Sequence, residues 1–397
     1  KLLEVENLSV GDKVYYINKE KSMYLAVIGE DKLENGLNII GSHADSPRLD
    51  LKPNPLYEDQ ELVYFKTHYY GGIKKYQWTT IPLSIHGVIV KGNGEKIEVR
   101  IGEDDKDPIF TVTDLLPHLA KEQENLKLKE AIKGEDLNLL IGSMPFDEEI
   151  PERVKLNILA ILNKKYGIVE EDLSSAELEL VPAYKARTQG FDESMVAAYG
   201  QDDTSLTAMM ELNNIKRTAV CIIADKEEIG SVGNTGMESH AFDTFITYLL
   251  NKTGENRVNL LEKVFCNSKM LSADVDACLD PIYANVSDRL NAAYMGYGVG
   301  INKYTGSGGK YEASDANAEY LAEVRKIFDD NNIKYQITEL GKVDVGGGGT
   351  IAYILANKGI DVIDCGIPIL CMHSPYEVAS KYDVYSAYQA YKAFWNA

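Results

Sequence analysis

Basic residues are scarce in this chain: 41 Lys and Arg face 61 Asp and Glu across 397 residues, a formal charge of −20. A polyanion needs a positive footprint, so this balance argues against a nucleic-acid partner. A well-hydrated surface is its ordinary consequence. No run of about 18 apolar residues occurs, which argues against a transmembrane helix. The start, KLLEVENLSV, lacks the long apolar region of a signal peptide. Cysteine is rare too: Cys221, Cys266, Cys278, Cys365 and Cys371 form no CxxC pair. An odd count in a large chain argues against a disulfide framework and for buried thiols in a reducing compartment. The cytoplasm is the expected location. The chain opens on Lys1 rather than methionine, so a short leader is expected to be missing.

Several familiar catalytic patterns are also missing. There is no HExxH helix, which excludes a thermolysin-like single-zinc site by pattern. There is no GxSxG elbow and no GxGxxG after a first strand. The run Gly346 to Gly349 lacks the lysine and hydroxyl of a nucleotide loop. It opens a helix, where it serves either anion binding or close backbone packing.

Apolar residues make up 45% of the chain, enough for one large domain or two of ordinary size. Residues 21–50 read as strand, turn, strand. Residues 61–101 alternate apolar and polar with aromatics and turn glycines, which predicts hairpins and an antiparallel sheet. Residues 114–133 and 152–166 read as helical. From about 195 onward helices alternate with short apolar strands, at 218–224, 270–273, 333–338 and 361–365, and a long helix is expected from 375. This predicts an α/β fold with a mostly parallel sheet sandwiched by helices. The expected organisation is a discontinuous domain, 1–54 and 191–397, interrupted by a β-rich insertion at 55–190. Tyr69, Tyr70, Tyr76 and Trp78 suit a subunit contact.

The chemistry gathers where apolar strands end. NIIGSHAD delivers His43 and Asp45, TAVCIIADKEEIGS delivers Glu227 and Glu228, KMLSAD delivers Asp274, and DCGIPILCMHS delivers His373. Asp202 and Asp203 lie in AYGQDDTSL. Only six histidines exist, and His43 and His373 alone follow strand-like runs in the α/β part. Hydrolysis of an unactivated amide needs a strong nucleophile at neutral pH and a stabilised oxyanion, which two divalent ions sharing a carboxylate can supply. One histidine for each ion, Asp202 as bridge, and Glu228 and Asp274 as terminal ligands make such a set. Glu227 is then available to move a proton from water to the leaving amine. Asp45 can accept the second ring N–H of His43 and fix its tautomer. Each element alone has an ordinary reading, as a solvated carboxylate pair or a helix cap. Their joint placement is what points to a metal-centred hydrolase.

The same segments carry a family resemblance. GSHADSPRLDLKP at 41–53, LSSAELELVPAYKA at 173–186, AYGQDD at 198–203, DKEEIGS at 225–231, LSAD at 271–274 and MHSPYE at 372–377 occur in the order found in the aspartyl aminopeptidase family, and the chain resembles a bacterial member. The resemblance implies a cytosolic dinuclear metallopeptidase releasing N-terminal residues from peptides. A related amidohydrolase, a deacylase or carboxypeptidase, is the alternative. It implies that His43, Asp202 and Asp274 hold one ion and Asp202, Glu228 and His373 the other. Zinc is expected, with cobalt or manganese as substitutes. Glu227 is the implied base and Asp45 the support of His43. The resemblance further implies that the insertion is a dimerisation domain, that dimers assemble into a dodecamer, and that His118 reaches a neighbouring subunit's site. Members of animal type favour N-terminal Asp or Glu through basic groups. The corresponding stretch here departs from their pattern and offers Lys303 and Lys310.

Overall fold

The computed structural model describes residues 1–146, 150–200, 204–255, 257–311 and 313–397. It divides into two compact units, the first formed by 1–45, 187–372 and 377–397, the second by 46–186 and 373–376. Residues 46–54 fall in the second unit because Arg48–Asp59 is one continuous strand paired within it. Among the described residues no helix is long and apolar enough to cross a membrane.

The first unit is built on an eight-stranded sheet. Its spatial order is Lys13–Asn18, Ser22–Val27, Ala219–Ala224, Asn38–His43, Lys269–Ser272, Asp361–Gly366, Val299–Asn302 and Tyr335–Thr338. The sheet is mixed, which corrects the expectation of a mostly parallel one. The strands Ala219–Ala224, Asn38–His43, Lys269–Ser272 and Asp361–Gly366 run parallel to one another. Lys13–Asn18 and Ser22–Val27 form an antiparallel hairpin that joins Ala219–Ala224 antiparallel. Val299–Asn302 is antiparallel to Asp361–Gly366. The hairpin escaped the α/β reading because a two-stranded meander leaves no helix between its strands, and Val299–Asn302 is too short and glycine-rich for a periodic signal.

Both faces of this sheet are covered, and the strands alternate between two apolar clusters as a period of two requires. Ile39, Val220, Ile222, Met270 and Val362 face a cluster with the helices Ala241–Lys252, Leu260–Cys266 and Ala352–Ala356. Ile40, Ala219, Cys221, Leu271, Ile363 and Cys365 face the other, with Ser205–Met210, Ala318–Asp330 and Lys381–Asn396. The last helix starts later than expected. Glu377–Ser380 is a strand, and Ser380 caps the helix by accepting from the amides of Tyr382 and Asp383. Fully buried Trp395 then donates from its indole to the Asn38 carbonyl at 3.0 Å, locking that helix to the central strand. A smaller sheet of five strands, including Met195–Ala198 and Glu377–Ser380, completes the unit.

The second unit holds a seven-stranded sheet in which every pairing is antiparallel. The hairpins expected over 61–101 are Leu62–Tyr70, Leu83–Val90 and Lys96–Ile101. The helix expected at 152–166 is Arg153–Tyr166, closed by Gly167 at φ 65. The helix expected over 114–133 is instead a series of single turns, chief among them Lys121–Glu124 and Leu128–Ala131.

Candidate metal centre

Three neighbouring parallel strands end side by side and deliver the key groups. Asn38–His43 ends on His43, Ala219–Ala224 leads into the turn Glu227–Ile229, and Lys269–Ser272 leads into Asp274. The loops are tied at their roots. The Ala44 amide donates to the Ala224 carbonyl at 2.9 Å, and the Ala273 amide donates to the Gly41 carbonyl at 2.7 Å. The turn bearing the glutamates is set by left-handed residues on both sides, Lys226 at φ 65 and Gly230 at φ 93. A side chain at position 366 would place its Cβ 1.4 Å from the Asp274 carbonyl oxygen, so only glycine fits beneath that loop.

His43, Glu227 and Asp274 present ligand atoms that all lie within 4.8 Å of one another. His43 is 5% exposed. Its Nδ1 lies 2.8 Å from the Asp45 carbonyl oxygen and 3.5 Å from that residue's carboxylate. Donation from Nδ1 to this carbonyl leaves Nε2 as the lone-pair nitrogen. Nε2 points toward Asp274, 3.6 Å from its Oδ1. The Asp45 carboxylate has a second task. It accepts the backbone N–H groups of Glu227 at 3.1 Å and Glu228 at 3.2 Å, orienting the turn that carries both glutamates. The sequence pointed to Asp45 as a partner of the imidazole. The shorter contact of the ring is to the Asp45 carbonyl, while the carboxylate lies 3.5 Å from the same nitrogen and also accepts from the glutamate turn.

An imidazole nitrogen and two carboxylates converging in this way match the donor preferences of zinc. Like-charged carboxylates held together favour a cation between them. Asp202 falls outside the described residues. His373 belongs to the second unit, at φ 63, with Nδ1 3.1 Å from the Gly72 carbonyl oxygen. His118 sits in the exposed turn Pro117–Leu119 of that unit, flanked by exposed Leu115, Leu116 and Leu119. Glu228 lies in the same turn as Glu227.

Two buried carboxyls near this cluster escaped the sequence reading. Asp364, in the strand beside Lys269–Ser272, accepts from Thr350 Oγ1 at 2.6 Å, and burial pushes its carboxyl up to about 7. Asp276 accepts from Thr338 Oγ1 at 2.7 Å, and burial raises it as well. The available signal was a lone acid inside an apolar run, VIDCGIP, which reads as a strand interruption rather than a site.

A family model described as aminopeptidase I zinc metalloprotease (M18) matches residues 1–395. A probable M18 family aminopeptidase 1 of Clostridium acetobutylicum is 54% identical over 401 residues, covering 100% of this chain and 86% of that protein. The crystal structure of an M18 family aminopeptidase from Thermotoga maritima superposes with a TM-score of 0.97 at 46% identity, covering 100% of this chain and 88% of that one. The mApe1 dodecamer of S. cerevisiae shares the fold, with a TM-score of 0.75 at 21% identity over 97% of this chain and 85% of that one. The chain therefore belongs to the M18 family of zinc metalloproteases and is a zinc-dependent aminopeptidase.

Proposed function

We propose that the chain removes the first residue from peptides with a free N-terminus by a two-ion mechanism. In this reading His43, Asp202 and Asp274 would hold one ion, and Asp202, Glu228 and His373 would hold the other. The observation that carries this reading is the convergence of His43, Glu227 and Asp274 within 4.8 Å at the ends of three adjacent parallel strands. The parts given to Asp202 and His373 rest on the family resemblance. Bound zinc supplies Lewis-acid polarisation of the scissile carbonyl and a more acidic water; cobalt or manganese are the substitutes. The Asp45 carbonyl fixes the His43 ring, and the Asp45 carboxylate fixes the turn of the glutamates. Glu227 takes the proton from the attacking water at its carboxylate and delivers it to the departing amine. A preference for Asp or Glu as first residue is the part of the resemblance that depends on cations, and Lys303 and Lys310 are its candidates.

The second unit serves as the dimerisation domain in this reading. Its exposed leucines around His118 form a surface for another copy of the chain, with dimers assembling into a dodecamer in the cytoplasm and His118 entering a neighbour's site. A paired panel tests the activity: peptides with a free amine against the same peptides N-acylated. Acylation is expected to abolish cleavage. Equal rates on both sets would favour a deacylase or carboxypeptidase.

A further inference from the structure

The chain that leaves the glutamate turn folds straight back to it. Ser231 donates its amide to the Lys226 carbonyl at 2.7 Å, and Gly236 forms an isolated parallel bridge with Asp225. The loop closes on itself where the Glu238 amide donates to the Ser231 carbonyl at 3.1 Å. A Cβ at Gly236 would fall 2.1 Å from that carbonyl oxygen, so the closure requires glycine. Buried Ser231 takes φ 59, and Lys226 takes φ 65. Two non-glycine residues in left-handed backbone therefore frame the turn, a conformation that persists only where the surroundings over-determine it.

Asp45 grips this turn at the amides of Glu227 and Glu228. A second grip acts where the strand hands over to the turn. Asp225 directly follows Ala219–Ala224 and stands two residues before Glu227. Buried Thr235 donates its Oγ1 hydroxyl to Asp225 Oδ2 at 2.5 Å. Thr235 is itself held in place. Asn18 Nδ2 donates to the carbonyl of neighbouring Asn234 at 3.0 Å, and it lies 3.4 Å from Ser22 Oγ. Asn18 is buried at the end of Lys13–Asn18. Fully buried Met237 seats the far side of the loop in the apolar core. The outer hairpin of the sheet thus reaches the glutamate turn through Asn18, Asn234, Thr235 and Asp225.

We propose that Thr235 is a positioning residue for the reaction: its hydroxyl, anchored by Asn18 through the Asn234 carbonyl, fixes the Asp225 carboxylate and with it the turn that presents Glu227 and Glu228. The inference rests on the roles proposed above for the two glutamates. Amide bonds to Asp45 orient the turn but leave its entry free to rotate about the Asp225–Lys226 backbone. The hydroxyl closes that freedom from the other end of the loop. A proton carrier and a metal ligand on one turn move together when the turn moves, and a misplacement of about 1 Å is enough to cost a large factor in rate. Groups of this kind hold their geometry only when neighbouring hydrogen bonds lock them.

The test compares wild type, Thr235→Val and Thr235→Ser, each loaded with zinc for kinetics on a Leu-Ala amide with a free N-terminus and with cobalt for visible absorption. Thr235→Val keeps the shape and removes the donor. Its kcat and kcat/KM are expected to fall together by about tenfold or more, and its cobalt spectrum is expected to differ from that of wild type because Glu228 shifts with the turn. Thr235→Ser restores the hydroxyl and should recover most of the rate and the wild-type spectrum. Asn18→Ser releases the anchor from a distance and should lower kcat severalfold, a readout that stands if Thr235→Val fails to fold. Loss of stability in denaturant with kcat and the cobalt spectrum unchanged would make Thr235 a loop staple and overturn the assignment, as would an unchanged kcat in Asn18→Ser. Failure of the wild type to cleave any free-amine peptide overturns the aminopeptidase reading instead, and the cobalt spectra then still decide the role of Thr235.

Discussion

In the antiparallel sheet of the second unit, Arg48 lies between Asp50 at 2.8 Å and Glu179 at 3.0 Å, with its guanidinium 3.8 Å from the Tyr70 ring centroid. At the strand ends of the first unit, carboxylates gather instead around an imidazole, with His43 Nε2 3.6 Å from Asp274 Oδ1 and Glu227 within the same 4.8 Å cluster. The first arrangement is balanced by the chain itself. The second concentrates like charge, which a folded protein tolerates when an external cation completes it. Strand direction explains the contrast. Antiparallel neighbours send successive loops to opposite edges, so partners meet across the sheet face. Parallel neighbours send their C-terminal loops to one edge, where three of them can converge on one point.

The contrast can be broken in graded steps. Glu227→Gln keeps the shape of the cluster and removes the carboxylate proposed to carry the proton, and kcat is expected to fall by about 10²–10⁴-fold; near-normal turnover would move the base elsewhere. Asp45→Asn weakens the acceptor that orients both glutamates, and an effect of about 10–100-fold on zinc affinity or activity is expected from titration with a competing chelator. A loss of stability without any change in zinc binding would reduce Asp45 to a turn cap. Arg48→Met removes the cation shared by Asp50 and Glu179, and denaturant unfolding should show a cost of about 1–3 kcal/mol. A stabilised variant would mean that the second unit also holds unbalanced charge.

The strand ends were legible because each is a short apolar run stopped by a chemically distinctive residue: His43 after NIIGS, Glu227 after AVCIIAD, Asp274 after KMLSA. The antiparallel additions were not. Lys13–Asn18 pairs residue for residue with Ser22–Val27, and period-two alternation says nothing about the direction of a neighbour. Asp364 and Asp276 stayed hidden because their partners, Thr350 and Thr338, are distant in sequence and become neighbours only through sheet order. Lys303 and Lys310 are visible as cations, but only the folded loop shows that one carboxylate, Asp315, reaches both.

The most direct measurement is the zinc content of purified Glu227→Gln, read beside its turnover. Two ions per chain with turnover nearly abolished is the predicted result, since the ions are assigned to His43, Asp202, Glu228, Asp274 and His373 and the proton to Glu227. Fewer than one ion per chain after zinc supplementation would make Glu227 a ligand and contradict the assignment.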